Sequence, residues 1–256
     1  MKTLRDRLSG GGVSWIPLRY HGRPSLTATA YDIWMGTRVV RRILREAQAE
    51  GLIHARSYVA GFMGLRAMKH FRNAGVGRSR GPRLLFDMRG FWVDERIEAG
   101  RWKAESPVVA VARRAERKLL QESDWVVHLT QAGMQRAPKL APGFTFPRSS
   151  VIPTCVDLNR FQPPENRPAL RRELGVGPGP VYIHIGTLSG WYLGSETFRL
   201  AKVLLDRTGG ELVVLTRERE LAQRLAVREG VSARVETVSF EEVPRWLGIA
   251  DVGLSL

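Results

Sequence analysis

Apolar residues occur along this chain in two alternating patterns. In one they recur at helical spacing, and in the other they form short continuous runs of the length typical of buried strands. In the segment YDIWMGTRVVRRILREAQAEG, apolar side chains recur at helical spacing from Ile33 to Ala47, and Gly51 supplies a stop. The short apolar run LIHA follows, and then the helix-like segment YVAGFMGLRAMKHFRNAG. The pattern predicts a helix, a buried strand and a second helix in succession.

The same alternation continues through the rest of the first half. RLLFDMRG is typical of a strand, PVVAVARRAERKLLQES of a helix and WVVHL of another strand, and Thr130 opens a short helix. The proline-bearing stretch APGFTFPRSS then separates these elements from the segment VIPTCVDLNRFQPPENRP. The first half therefore predicts strands that alternate with helices.

The alternation of predicted helices and strands resumes after this second proline-bearing segment. The predicted elements are the helix ALRREL, the strand VYIHI, the helix SETFRLAKVLLDRTG, the strand ELVVLT, the helix RERELAQRLAVREG, the strand ARVETV, a helix around EEVPRWLGIA and the strand DVGLSL. Strands that alternate with helices indicate parallel sheets covered on both faces. We therefore predict an α/β fold with two Rossmann-like parallel-sheet domains facing a cleft, the first over residues 1–162 and the second over 163–256.

One short pattern occurs in both halves. ESDWVVHLT and IADVGLSL each place a helix end, an aspartate and an apolar strand in the same order. After the first copy the chain continues through TQAG into further elements, whereas Leu256 is the last residue after the second copy. We therefore expect the second domain to be incomplete.

Composition changes this picture only through charge. The 256 residues are 43% hydrophobic and 25% charged, which is ordinary for a globular protein, but 40 Lys and Arg against 25 Asp and Glu give a net charge of +15. Such an excess fits a polyanion such as nucleic acid, acidic lipid headgroups or a phosphorylated small molecule. Most of it is arginine scattered along the whole chain, so the charge alone does not select a partner.

The sequence argues against several kinds of site. GVGPGP follows a helix and precedes a strand, the wrong order for a dinucleotide-binding loop, and no Walker A loop, nucleophile elbow or zinc spacing occurs. We therefore expect no bound cofactor and no metal ion. The single cysteine, Cys155, lies outside any Cys or His cluster, so we expect a buried structural thiol and a reducing, cytoplasmic location.

The remaining candidates for chemistry are polar residues at the expected carboxyl ends of strands, which share one edge of a parallel sheet. In the first half these are His54, Arg56, Ser57, Asp87 and Arg89. In the second half they are Gly186, Thr187, Arg217 and Ser239. A basic edge rich in hydrogen-bonding groups suits a phosphorylated or sugar ligand.

Several segments also resemble those of one enzyme family, and in the same order. VIPTCVDLNRF is similar to the connector between the two domains of glycosyltransferase-B-fold enzymes, and LIHARSYVAG and LLFDMRGFWVDER resemble acceptor-domain segments of retaining, family-4-type glycosyltransferases. YIHIGTLSGWYL, LVVLTR and EEVPRWLGIADVGLSL resemble successive pieces of the donor domain. The resemblance implies metal-independent transfer of a sugar from a nucleotide-diphosphate sugar to an acceptor hydroxyl, in bacterial-type glycan or glycolipid synthesis.

The resemblance also implies roles for the candidate residues. In the first domain, Asp87 and Arg89 are expected to be catalytic. A sugar or lipid-linked acceptor is expected to bind at His54, Arg56 and Ser57. The nucleotide-sugar donor, as co-substrate, is expected to bind in the second domain at Gly186, Thr187, Arg217 and Ser239. Trp191, beside the expected donor loop, is a candidate platform for stacking on the sugar.

The sequence departs from the family's pattern in several places. The glycine–arginine and lysine–glycine pairs that hold the diphosphate read here Gly186-Thr187 and Tyr192-Leu193, which leaves Arg217 as the nearest basic substitute. Asp87 stands where the family often has histidine. The family's first strand with its loop, and the E-x7-E segment expected after ADVGLSL, are missing. We therefore expect residues 1–256 alone to be inactive.

Three alternatives to sugar transfer remain open at this point. An anion- or nucleic-acid-binding protein would account for the charge, a nucleotide-sugar epimerase would use the same fold, and a non-catalytic remnant would bind only a partner. We expect a cytoplasmic protein without specific nucleic-acid binding, and the charge leaves room for peripheral contact with the inner face of an anionic membrane.

Overall fold

Two compact units make up the chain in the computed structural model, which describes residues 8–22, 25–48, 51–74, 81–140, 148–190 and 192–256. The units are Met1–Thr154 and Cys155–Leu256. Each contains one four-stranded sheet in which all paired strands run parallel. The predicted α/β class with two parallel sheets is therefore confirmed.

The first unit alternates helices with the strands of its sheet. In chain order its main elements are α1 (Ser25–Glu46), β1 (Leu52–Arg56), α2 (Ser57–Asn73), β2 (Arg83–Asp87), α3 (Trp92–Glu98), α4 (Pro107–Glu122), β3 (Trp125–His128), α5 (Gln131–Arg136) and β4 (Arg148–Val151). The strand order β1-β2-β3-β4 follows the chain, so each new strand is added at the same edge.

The core of the first unit lies on one face of this sheet. Leu84, Phe86 and Val126 are fully buried there, packed against apolar side chains of α2 and α4. Because side chains alternate between the two faces of a strand, His54 and Asp87 lie on the opposite face. The packing of α2 and α4 on one face therefore leaves the other face for the candidate residues of β1 and β2.

The second unit continues the alternation over a sheet with a different strand order. Its elements are α6 (Arg167–Glu173), β5 (Val181–Ile185), α7 (Gly194–Thr208), β6 (Glu211–Leu215), α8 (Arg219–Glu229), β7 (Ala233–Glu236), α9 (Val243–Ile249) and β8 (Val252–Leu254). The strands pair in the order β7-β6-β5-β8. The chain adds β6 and β7 on one side of β5 and then places β8 on the other side. The direction of strand addition therefore changes between β5 and β8, which makes this place a topological switch point.

Helices cover both faces of the second sheet, as its nearly continuous apolar strands predict. Val213 and Leu215 of β6 pack with Trp246 and Ile249 of α9 on one face. Leu212 and Val214, the alternate positions, pack on the other face against α7 and α8, with the buried residues Phe198, Ala201, Ala222 and Leu225. Burial on both sides explains why β6 is apolar from Leu212 to Leu215.

The aspartate-strand pattern of the sequence has the same structural role in both sheets. Asp124 precedes β3, and its carboxylate accepts a hydrogen bond from the Leu84 backbone N–H at 2.9 Å. Asp251 precedes β8 and accepts one from the Val181 N–H at 2.7 Å. Each carboxylate is also bound by an arginine, Arg72 in the first unit and Arg171 in the second. Each aspartate thus fixes the start of its strand beside the neighbouring strand.

The environment of Asp251 favours its charged form. Partial burial alone would raise the pKa of this carboxyl, but hydrogen bonds from the Val181 N–H and the Arg171 guanidinium, with the charges of Arg171 and Arg167, outweigh that effect. The pKa of Asp251 is therefore held below its ordinary value of 3.8. The contact is present above that value and is lost only as the pH falls through the lowered pKa.

Three features differ from the sequence-based expectations. Helix α1 begins at Ser25 rather than Tyr31, and the extension contributes Ala28 to the buried side of the helix. Helix α3, Trp92–Glu98, was not predicted. Cys155 is exposed, so its expected burial is wrong. The segment after β4 has no regular element up to residue 157, and such connecting backbone stays at the surface, where water satisfies its polar groups.

Candidate functional site

In the first unit, two predicted site residues approach each other at the carboxyl end of the sheet. His54 of β1 and Asp87 of β2 lie on the same face of neighbouring strands, with His54 Nε2 at 3.6 Å from Asp87 Oδ2. This distance is too long for a direct hydrogen bond. The His54 side chain is 61% exposed and that of Asp87 only 13%. The pair thus presents an accessible imidazole beside a sheltered carboxylate, an arrangement suited to binding a hydroxyl group.

The residues directly after β1 form a tight turn into α2. Ser57 has a φ of 69°, which residues with a side chain rarely adopt. Such local strain is concentrated at functional sites, where the surrounding structure holds it in place. Arg56, just before it, is exposed. Both residues therefore lie at the same edge of the sheet as His54 and Asp87.

The fifth candidate, Arg89, lies in the loop after β2. Its guanidinium Nη2 donates to the Thr154 hydroxyl at 3.4 Å. The next residue, Gly90, is tied to the turn after β1, because its carbonyl accepts a hydrogen bond from the Tyr58 hydroxyl at 3.0 Å. The structure thus brings all five first-unit candidates to one edge of the sheet.

A buried carboxylate that sequence analysis missed supports this loop. Glu116 of α4 is fully buried, and Tyr58 Oη lies 2.7 Å from its Oε1. Arg113 donates to Glu116 Oε2 at 2.9 Å and also binds Asp94, which accepts a second bond from Arg136. Burial and the neighbouring Glu116 charge raise the pKa of Tyr58 well above its ordinary value, so the hydroxyl keeps its proton. We call this set the Glu116 network.

The sequence did contain a signal for Glu116. Val109, Ala112 and Leu119 form the buried stripe of α4, and Glu116 occupies the same stripe at helical spacing. A charged residue in an apolar stripe is costly unless it is paired and hydrogen-bonded. The position therefore indicates a buried polar contact, although its partners come from distant parts of the chain.

In the second unit, the predicted donor loop follows β5 at the switch point of the sheet. Gly186 has a φ of 134°, a conformation available to glycine but strained for other residues, and a side chain there would meet nothing within 4 Å. The loop then enters α7, whose N-cap residue Leu193 gives no side-chain cap. The N–H groups of Gly186, Leu188 and Ser189 are bonded within the unit, to Leu215 and Glu218. The N–H groups suited to binding an anion are therefore those of the uncapped first turn of α7.

Glu218, at the N-terminus of α8, holds this loop in place. Its carboxylate accepts hydrogen bonds from the backbone N–H groups of Leu188, at 2.7 Å, and Ser189, at 3.1 Å, and from the Ser189 hydroxyl. The Ser189 hydroxyl and the Leu188 N–H lower the pKa of Glu218 below its ordinary value of 4.5. No local pattern in the sequence indicates this contact, since Glu218 lies in a charged run of the form RERE.

Replacing Glu218 with alanine is expected to loosen the loop without unfolding the unit. Hydrogen exchange of the Leu188 and Ser189 amides should become roughly tenfold faster, because hydrogen bonds to a charged acceptor are worth about 1.5–3 kcal/mol. The amide shifts of the parent protein should stay constant near neutral pH and move only as the pH falls through the lowered pKa of Glu218. Glu220→Ala, which removes a carboxylate that is 91% exposed, is the control. Equal exchange in both variants would contradict this role.

The other predicted donor residues lie along the same edge of the second sheet. Thr187 follows Gly186 and is exposed, and Arg217 follows β6, also exposed. Ser239 follows β7, which is not a neighbour of β5, and its hydroxyl and N–H contact the Glu242 carboxylate at 3.4 and 3.3 Å. Trp191 lies outside the described residues. The structure therefore groups Thr187 with Gly186 and separates Ser239 from them by one strand.

Neither a dinucleotide loop nor a metal cluster is found in the part of the chain that the structure describes. GVGPGP connects α6 to β5, as predicted, and so has the wrong order for a dinucleotide-binding turn. No group of three or more His, Cys, Asp or Glu residues there is arranged to hold a metal ion. No helix among these residues has both the length and the apolarity needed to span a bilayer.

Solved structures with a similar fold include a sucrose-phosphate synthase, a protein in complex with UDP-glucose and a UDP-N-acetylglucosamine 2-epimerase. Sucrose-phosphate synthase from Thermosynechococcus elongatus matches 93% of this chain with a TM-score of 0.67 and 15% identity, over 57% of its own length. HepE from Anabaena, solved in complex with UDP-glucose, matches 99% with a TM-score of 0.60 and 15% identity, over 63% of its length. UDP-N-acetylglucosamine 2-epimerase from Rickettsia bellii matches 96% with a TM-score of 0.51 and 12% identity, over 62% of its length.

These likenesses establish the fold. The first two neighbours are glycosyltransferase-B-fold enzymes, so the predicted fold is confirmed. No protein-family model and no curated protein matches the sequence. The chain spans about 57 to 63% of the length of the three structures compared. At 12 to 15% identity the likeness is one of fold alone, so activity has to be argued from the site.

Proposed function

We propose that this protein takes part in sugar transfer from a nucleotide-diphosphate sugar to an acceptor hydroxyl. The observation that carries the proposal is the open glycine loop at Gly186, which lies at the switch point of the second sheet and leads into the uncapped N-terminus of α7. In open α/β sheets, ligands bind at this position. The likeness to HepE, which was solved with UDP-glucose, supports the same class of donor.

The donor's departing diphosphate is the main chemical problem in such a transfer. Backbone N–H groups and the positive end of a helix dipole stabilise the charge that develops on the leaving group. Gly186 lets the backbone approach the diphosphate closely, and Thr187 adds a hydroxyl group. Arg217, after the neighbouring strand β6, is the proposed cation, because Tyr192 and Leu193 stand where the family places lysine and glycine.

The acceptor is proposed to bind at the carboxyl end of the first sheet. Asp87 would accept a hydrogen bond from the acceptor hydroxyl, and His54, 3.6 Å away, would bind a neighbouring oxygen. Arg89 and Arg56 would bind an anionic group of a sugar or lipid-linked acceptor. The Glu116 network positions Arg89 through Gly90. The resemblance of LIHARSYVAG and LLFDMRGFWVDER to acceptor-domain segments of family-4-type enzymes supports a retaining transfer in bacterial-type glycan or glycolipid synthesis.

Binding of a nucleoside diphosphate to the chain tests this proposal without requiring turnover. UDP, ADP and GDP titrated by calorimetry should reveal at least one ligand, and Gly186→Val should weaken it by tenfold or more. The matched control is Gly209→Val, since Gly209 also has a positive φ, of 66°, with nothing within 4 Å of an added side chain. Both variants place a valine where φ is positive, at 134° for Gly186 and 66° for Gly209, but only Gly186 lies in the loop.

Two results would overturn the donor site. Equal loss of binding in the Gly186 and Gly209 variants would assign the effect to backbone strain. Absence of binding by all three nucleotides would exclude a nucleotide-diphosphate sugar as the donor. An epimerase is the second candidate, because the Rickettsia bellii epimerase shares the fold. Conversion of a nucleotide sugar in the absence of any acceptor would favour it over sugar transfer.

A further inference from the structure

Aromatic and basic side chains share the solvent-facing side of α1. Tyr31 and Trp34 are 48% and 47% exposed, and arginines continue the same stripe at helical spacing as Arg38, Arg42 and Arg45. From Tyr31 to Arg45 the stripe is about 21 Å long. The opposite side of α1 packs on α2 through a small apolar cluster that includes Leu44, Ala67 and Phe71. Helix α1 is thus fixed to the first unit by one side and presents the other to solvent.

A surface groove of about 340 Å³ lies between this stripe and α2. Its basic lining comes from both helices and consists of Arg38, Arg41, Arg66, Lys69 and His70, with Trp34 at its rim. We call these six residues the basic groove. Arg41 Nη2 donates to the carbonyl of Arg66 at 3.3 Å, whereas Arg41 Nε is buried without a hydrogen-bond partner. Such a concentration of guanidinium groups is suited to a phosphate.

Acidic residues neutralise little of this charge. On α1, Asp32 is held by His21 at 2.6 Å, and Glu46 lies 3.9 Å from Arg42. On α2, Lys69 is paired with Glu122. Within the described ranges, no carboxylate forms an ion pair with Arg38, Arg45 or Arg66. The surface therefore carries an excess of positive charge beside exposed aromatic rings.

We infer that this surface binds an anionic phospholipid membrane, with a lipid phosphate in the basic groove and the rings of Trp34 and Tyr31 at the level of the headgroups. Lysine and arginine side chains near an anionic bilayer surface are attracted to its headgroups. Tryptophan and tyrosine are suited to that interface because each has an apolar ring and a polar tip. The inference does not rest on the proposed sugar transfer.

The arrangement of Trp34 favours a membrane over a nucleic acid. Proteins that bind single strands offer open aromatic faces on which bases stack. Here the Arg38 guanidinium covers one face of the Trp34 ring, 4.8 Å from its centroid. The exposed stripe is also only about 21 Å long, whereas nucleic-acid-binding proteins extend a basic track along the phosphate backbone.

Cosedimentation of the full chain with lipid vesicles tests this surface. The parent should bind vesicles that contain phosphatidylglycerol, bind pure phosphatidylcholine far less, and dissociate as salt is raised. Arg38→Gln with Arg45→Gln should lower the partition coefficient roughly 30-fold, since each cation near an anionic surface contributes about a factor of five. The control is Arg114→Gln with Lys118→Gln, which removes the same charge from exposed positions on α4. This control should lower the partition coefficient only a few-fold.

Fluorescence gives a second readout that does not depend on charge. Brominated lipids should quench the protein's tryptophan emission, and much of that quenching should be absent in Trp34→Phe. Circular dichroism of each variant establishes that it is folded. Equal losses in the two double variants, or unchanged quenching in Trp34→Phe, would overturn the inference. Salt-sensitive binding to DNA that the α1 variant abolishes, without vesicle binding by the parent, would assign the surface to nucleic acid instead.

Discussion

Glu116→Ala is expected to lower the stability of the first unit by about 3 kcal/mol, because it breaks a buried ion pair from one side. The substitution leaves the Arg113 guanidinium without one of its two carboxylate partners, removes the 2.7 Å contact of the Tyr58 hydroxyl, and opens a cavity in α4. For a unit of this size the thermal midpoint should fall by roughly 10 °C. Scanning calorimetry of the parent and the variant measures the change.

The control for this prediction is Glu46→Ala, which removes a carboxylate that is 70% exposed and only loosely paired with Arg42. Its effect should stay within about 0.5 kcal/mol. Tyr58→Phe removes the other side of the contact, and because the two groups touch, the double variant should be less destabilised than the sum of the single ones. Similar midpoints for Glu116→Ala and Glu46→Ala would show that the network contributes no net stability.

Gly194→Ala is expected to destabilise the second unit and to weaken nucleoside-diphosphate binding. At the first turn of an exposed helix, alanine would be more stable than glycine by about 0.5–1 kcal/mol. Here an added Cβ would lie 2.5 Å from the Leu188 carbonyl oxygen and 3.1 Å from a methyl carbon of Leu225. The alanine variant should therefore be less stable than the parent, with a free energy of unfolding lower by about 2 kcal/mol.

The effect on binding follows from the same contact, because Leu188 belongs to the proposed donor loop and must move to admit the new methyl group. UDP affinity, or that of whichever nucleotide the parent binds, should fall at least tenfold in calorimetry. Gly253→Ala is the control, since an added Cβ there meets nothing within 4 Å. A stabilised Gly194→Ala would refute the close packing. A destabilised variant with unchanged nucleotide affinity would keep the packing and remove the loop from the donor site.

Much of the fold could be predicted from the sequence because its elements are set by local patterns. The apolar runs VYIHI and ELVVL became β5 and β6, with burial on both faces. The repeated aspartate before WVVH and VGL became the same strand contact in both sheets. The candidate residues after each strand were also placed correctly at the carboxyl edge, since all strands of a parallel sheet end on the same side. Their roles stay predictions.

Other features depend on contacts between distant residues, which no local pattern records. The strand order β7-β6-β5-β8, and with it the switch point beside Gly186, comes from packing the whole second unit. Glu116 meets Tyr58 across 58 positions of sequence, and Glu218 meets the loop of Leu188 across 30. The basic groove likewise forms only where α1 packs on α2.

The amino-acid sequence by itself thus determined where helices and strands lie and which polar residues follow the strands, because periodicity and turn chemistry act over a few residues. Packing determined which of those residues meet and what holds them. Glu218 and Arg41 are each one charged residue among 65 acidic and basic side chains. Only the three-dimensional fold distinguishes them, since burial and hydrogen bonding are properties of the neighbours that folding brings to each side chain.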